Sequence, residues 1–148
     1  MQQMENAVIL RSAHDGTTLE VSAISTGVPE YKVFLYGPNF RGTTPVYMPE
    51  PRYLARFFRD LASNCKGWAG KKEWASLEHE LSLAATIDLT GHISLSVRLR
   101  TCASPFDWSL SAVLLIEAGQ LEQIASSIEQ FVHDGAPACD NSEPRVGE

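Results

Sequence analysis

Asp88 and His92 stand four residues apart and bracket Leu89-Thr90-Gly91. A carboxylate next to an imidazole can orient it for proton transfer. Hydrolytic use of such a pair needs an activated serine or cysteine beside it, and no recognisable nucleophile motif supplies one. A cross-strand ion pair at a turn is the plainer reading. His14, His79, His92 and His133 show no metal-ligand spacing. Cys65, Cys102 and Cys139 are odd in number, widely separated and form no C-x-x-C pair, which speaks against both a disulfide framework and a zinc site. Cys65 is expected to pack as a small hydrophobe on a helix face, and Cys139 to be an exposed thiol in a polar tail. No G-x-x-x-x-G-K-[ST] phosphate loop occurs. The residues therefore predict no catalytic group, no metal ligand and no cofactor.

Binding chemistry has better candidates. Glu78, Glu80, Arg98 and Arg100 share the polar parity of two neighbouring strands. They form either a charged docking patch or, more plainly, a salt-bridged solvated face. The segment from Gly37 to Pro51 is longer than an ordinary connection and carries Phe40, Arg41 and Tyr47, residue types favoured at interface hot spots. Its ordinary reading is a short edge strand over Val46 to Met48, with Phe40 capping the core. Trp68 and Trp74 flank the linker between two halves and, with Trp108, are expected to close the core. The candidate binding set is thus Phe40, Arg41, Tyr47, Glu80, Arg98 and Arg100.

The elements that must position these residues read most cleanly in the second half. Leu77, His79, Leu81, Leu83, Ala85 and Ile87 alternate with polar or small residues, as do Ile93, Leu95, Val97 and Leu99. Trp108, Leu110, Ala112, Leu114 and Ile116 make a third row. Period-two patterning predicts strands with one dry face. Leu89-Thr90-Gly91 suits a three-residue hairpin loop, which sets Ser82 opposite Arg98 and Glu80 opposite Arg100 and puts both apolar rows on one side. Leu121, Ile124, Ala125, Ile128, Phe131 and Val132 then trace the stripe of an amphipathic helix ending near Gly135.

The first half repeats this plan more loosely. Val8 to Ser12 and Thr17 to Ile24 flank the hairpin signal His14-Asp15-Gly16, and Tyr31 to Tyr36 forms a third strand. Pro51 opens a helix whose stripe is Leu54, Phe57, Phe58, Leu61 and Cys65. A shift of 67 residues lays this stripe over the second one. The expected architecture is α+β: a two-layer sandwich in the order βββαβββα, an antiparallel sheet of about six strands with two helices on one face. Residues 1–134 form one domain with halves 7–67 and 74–134, and residues 135–148 a disordered tail.

Composition bounds the function. A chain of 148 residues, 44% hydrophobic and 20% charged, suits one globular domain. No apolar run approaches the roughly 20 residues of a membrane helix. The N-terminus shows neither the basic start nor the apolar stretch of a secretory signal, so a cytoplasmic location is expected. Through Gly67 seven Lys/Arg stand against six Asp/Glu, a net of +1; from Trp68 onward it is five against twelve, a net of −7. That imbalance argues against a nucleic-acid backbone as partner and permits a basic protein partner.

The run Trp74-x-x-Leu77-x-x-Glu80-Leu81-x-Leu83-x-Ala85-x-x-Asp88-x-x-Gly91-His92-Ile93, continued by Leu95, Val97, Leu99 and Arg100, resembles the signature of a family of small bacterial proteins of unknown function. Trp108 and Leu115-Ile116-Glu117-Ala118-Gly119-Gln120-Leu121 are similar to that family as well. The resemblance covers roughly residues 74–132 and implies a bacterial source and the fold just described. It brings no activity or site residue. The leading expectation is a non-enzymatic protein-binding module of immunity or regulatory type; a small-ligand sensor is the alternative, an enzyme with an unrecognised site the least favoured. A homodimer through an exposed strand edge is compatible with the pattern.

Overall fold

The computed structural model describes residues 6–24 and 28–135. Eight strands and two helices follow in the order ββββαββββα. Ala7–Arg11 (β1), Thr18–Ala23 (β2), Glu30–Gly37 (β3) and Phe40–Tyr47 (β4) make one antiparallel sheet, and Arg52–Ser63 (α1) follows it. Lys72–Ala75 (β5), Leu81–Ile87 (β6), His92–Arg100 (β7) and Ser109–Glu117 (β8) make the second, which a 3-10 turn over Ala118–Gln120 joins to Leu121–Gly135 (α2).

The expected single sheet of about six strands is instead two sheets of four, each completed by one strand beyond the expected three. Gly37 to Pro51 is not a long loop: Pro38 and Asn39 turn the chain, and β4 pairs with β3 along its whole length, from Gly37–Phe40 to Glu30–Tyr47. Gly42, Thr43, Thr44 and Pro45 mask that strand in the sequence, because small and polar residues break the alternation. Gly42 has a packing reason. A Cβ there would lie 2.7 Å from Leu110 Cδ2 and 3.4 Å from the Trp108 ring, so the apolar faces of the two sheets meet here and a larger residue would have to push the Leu110 side chain aside. The other added strand, β5, lies in the linker between the halves and is only four residues long.

Alternation places the core as expected. Leu81, Leu83 and Ala85 of β6 and Ile93, Leu95, Val97 and Leu99 of β7 are all buried. The expected register is observed: Ser82 faces Arg98, the Arg100 amide donates to the Glu80 carbonyl at 2.8 Å, and Gly91 takes φ +86° in the loop. Leu54, Phe57, Phe58 and Leu61 of α1 and Leu121, Ala125, Ile128 and Phe131 of α2 complete the same core. Each large apolar side chain buried there contributes about 1.5–3 kcal/mol.

Leu77, His79, Trp108 and Cys65 are exposed where the core or its edge was expected, and Glu80 is buried where a wet face was expected. Leu77 is exposed, because β6 starts only at Leu81 and residues 76–80 form a turn in which His79 adopts φ +65°. Trp108 precedes β8 and is 39% exposed. Cys65 is exposed, since Asn64 ends α1 by donating its side-chain amide to the Asp60 carbonyl at 2.8 Å. Cys139 and the expected tail lie outside the described residues, apart from Gly135 at the end of α2.

Polar contacts sew the halves together. Ser12 Oγ accepts the Leu115 amide at 3.0 Å, and the Ala13 amide donates to the Leu115 carbonyl at 2.9 Å. Arg59 of α1 forks onto Glu129 of α2 through two bonds of 2.8 Å and reaches Glu122 at 2.7 Å.

Candidate functional site: the outer face of the second sheet

Strand register builds this face. Across it run two rows of directly opposed residues, Ala75–Ser82–Arg98–Ser111 and Glu73–Ala84–Ser96–Val113. Their parity opposes that of the core residues, so these side chains point to solvent. Serine and alanine fill the middle of both rows and leave a trough of about 620 Å³, bordered by Glu73, Trp74, His79 and Val113. That volume falls within the ordinary range for a ligand cleft.

Arg98 is the chemical centre of the trough. It is exposed, has a serine directly opposite on each neighbouring strand, and makes no ion pair or hydrogen bond among the described residues. Arg41 and Arg100 are engaged instead. Arg41 lies over the Phe34 and Tyr36 rings at 5.2 and 5.1 Å on the outer face of the first sheet. Arg100 donates from Nε to the His79 carbonyl at 3.0 Å, which holds the strained 76–80 turn. A guanidinium flanked by hydroxyls offers only donors and rotatable O–H groups, a set suited to a carboxylate or another oxyanion.

The six sequence-predicted residues do not converge. Phe40 is half-buried against the core, and Arg41 stacks on the first sheet. Tyr47 ends β4 with its ring exposed. Glu80 is buried, contrary to a solvated salt-bridged face. Its carboxylate accepts the Ser76 hydroxyl at 2.7 Å and the Tyr47 amide at 3.2 Å, because the turn directs it toward β4. Neither Arg98 nor Arg100 pairs with Glu78 or Glu80 through its side chain; Arg100 reaches backbone carbonyls instead. Glu80 meets the backbone amides of Tyr47 and Arg100, and both contacts are structural. The sequence reading missed Ser82, Ser96 and Ser111 as a group. Their signal is the recurrence of serine at alternate positions opposite an arginine, which looks like any wet strand face until the register is fixed.

A second polar cluster surrounds the β6–β7 turn. Asp88 accepts the amides of Thr90 at 2.9 Å and His92 at 3.0 Å and the Thr90 hydroxyl at 2.8 Å. The His92 amide, then Thr90, holds the Asp88 carboxyl at about 2, below the ordinary 3.8 of an aspartate. His92 Nδ1 lies 2.7 Å from Thr90 Oγ1 and 3.6 Å from Asp88 Oδ2, and its Nε2 lies 3.4 Å from Glu117. The Asp88 carboxylate is thus committed chiefly to the turn's amides and the Thr90 hydroxyl, with the expected His92 pairing only a longer contact of 3.6 Å.

Among the described residues, no group of three His, Cys, Asp or Glu is placed to hold a metal ion, and no helix is long and apolar enough to cross a membrane.

Fold and trough define a duplicated-plan α+β domain with a concave, donor-lined sheet face. The chain belongs to the Family of unknown function (DUF6228), which it matches over residues 31–135. The match begins in β3, so it reaches well beyond the 74–132 segment into the first half. No curated protein matches the chain.

Proposed function

We propose that this chain is a non-enzymatic protein-binding module that docks its partner on the outer face of the second sheet, with Arg98 as the anchoring cation. The observation that carries this reading is the unpaired Arg98 between Ser82 and Ser111 in a trough of about 620 Å³. A desolvated arginine meeting a carboxylate is a frequent interface hot spot. The partner presents an acidic group here. Net charge suggests a basic partner, but the charged group at the centre of this docking face is the Arg98 cation. The setting we take for it is a bacterial cytoplasm; the free thiols Cys65 and Cys102 suit a reducing compartment.

Co-purification from the native cell, comparing the unaltered chain with Arg98→Glu, tests the reading. The expected result is one protein recovered in near-stoichiometric yield with the unaltered chain and depleted about tenfold or more with the variant, a loss of about 1.4 kcal/mol. Recovery of the same proteins by both chains, or of none by either, overturns it.

A further inference from the structure

We propose that the cleft between β5 and the start of α1 binds a small organic acid, with its apolar body in the cleft and its one carboxylate on Arg56. Arg98 does not line this cleft, so the site goes beyond the protein-binding reading above.

The cleft holds about 630 Å³, within the ordinary range for a small-molecule site. Met48 and Phe57 line it and are both buried, so its floor is part of the core. Pro49 and Trp74 add apolar wall, and Tyr53 and Leu77, 44% and 63% exposed, stand at its mouth. Leu77 sits on the 76–80 turn, which the Glu80 carboxylate and the Arg100 guanidinium fasten. That lip of the cleft is in place before a ligand arrives, which lowers the ordering cost of binding.

Charge decides the ligand. Glu50, Arg56, Asp60, Lys72 and Glu73 are the charged residues among those that line the cleft. Each carboxylate is already ion-paired: Glu50 with Arg52 at 3.0 Å, Asp60 with Lys72 at 3.0 Å, and Glu73 with Lys71 at 3.3 Å. With those partners counted, four cations stand against three carboxylates among the described residues, and Arg56 is the cation left over. It makes no ion pair or hydrogen bond among them; its guanidinium lies over the Tyr53 ring, 5.1 Å from the centroid. A ring face attracts the cation but accepts no N–H from the guanidinium edge, and a carboxylate takes two such donors at once. An ammonium finds no unpaired carboxylate here, and a second negative charge on the ligand is repelled by Glu50, Asp60 and Glu73. The ligand is therefore a monoacid with an aryl or medium-chain alkyl body.

Titration of the full chain with octanoate, phenylacetate and indoleacetate tests this, read by calorimetry and by the tryptophan indole N–H signals in NMR spectra. Octanol and octylamine carry the octanoate body without its negative charge. The expected result is that at least one acid binds at a single site and moves the Trp74 signal but not that of Trp108, which lines neither cleft. Arg56 is exposed, so Arg56→Gln should fold, and it should weaken the acid about tenfold, the worth of one charge-assisted contact. Binding by none of the three acids overturns the inference, as does equal binding to Arg56→Gln, or octanol or octylamine binding as tightly as octanoate. Trp74 also borders the trough, so Arg98→Glu separates the two sites. Acid binding that survives Arg98→Glu and falls in Arg56→Gln supports this site whatever co-purification shows. The reverse pattern places the acid on Arg98 and overturns it.

Discussion

Glu80 and Asp88 show how two carboxylates of similar sequence context come to different uses. Glu80 is buried and accepts from Ser76 and from the Tyr47 amide, so it fastens the 76–80 turn to the end of β4. Truncation to alanine would strand both donors, and Glu80→Ala is expected to cost about 1–3 kcal/mol in urea unfolding. Glu80→Gln keeps one acceptor oxygen and should cost less. Asp88 is exposed and acts through backbone amides. Its folded-state value of about 2 lies below the 3.8 of an unperturbed aspartate, so ionisation stabilises the fold. That contribution is complete above 3.8 and fades as pH falls through 2. An NMR titration of the Asp88 side-chain carboxyl should give a midpoint near 2, and Asp88→Asn should flatten the stability profile across that window. A midpoint at the ordinary aspartate value would mean that the turn does not hold its amides on the carboxylate.

Elements whose burial is one-sided were legible, and those whose burial is not were missed. β6, β7 and both helices bury one face each, so Leu81 to Ile87, Ile93 to Leu99 and the stripes of Leu54 and Leu121 could be read directly, register included. β4 was legible only as a short edge strand over Val46 to Met48, because its inner row, Phe40, Gly42, Thr44 and Val46, mixes an aromatic, a glycine and a threonine; Gly42 makes sense only against Leu110 of the other sheet. β5 escaped because Lys72 to Ala75 is too short to show a period. The trough was hidden for the same reason, since β5 forms one of its walls. Only strand order brings Ser82 and Ser111 to either side of Arg98. Where the stripe was visible, its energetic weight can be checked: Phe58 is 1% exposed, lies edge-on to Phe57 with centroids 5.2 Å apart, and Phe58→Ala should cost about 3–5 kcal/mol. Equilibrium denaturation measures it, and a loss under about 1 kcal/mol would show that α1 does not close the core.

At the scale of the molecule, the repeated ββββα plan raises the question of whether each half folds alone. Contacts between the halves answer against it. The inner faces meet at Gly42 and Leu110, the helices are bound through Arg59, and the β1–β2 turn is hydrogen-bonded to the middle of β8 through Ser12 and Ala13. Apolar residues of both sheets and both helices form one continuous cluster. Neither half can separate without exposing that shared surface, so unfolding should be a single transition. Tryptophan supplies an uneven probe, since Trp68, Trp74 and Trp108 all lie from the linker onward, whereas far-UV circular dichroism reports every strand and helix. Urea curves followed by the two signals should superimpose. In Ser12→Ala, which strands the Leu115 amide, both midpoints should fall together by an amount equivalent to about 1–3 kcal/mol. A fluorescence curve that separates from the dichroism curve would mean that the second half melts by itself. The interface between the halves would then be a docking of two domains instead of one core.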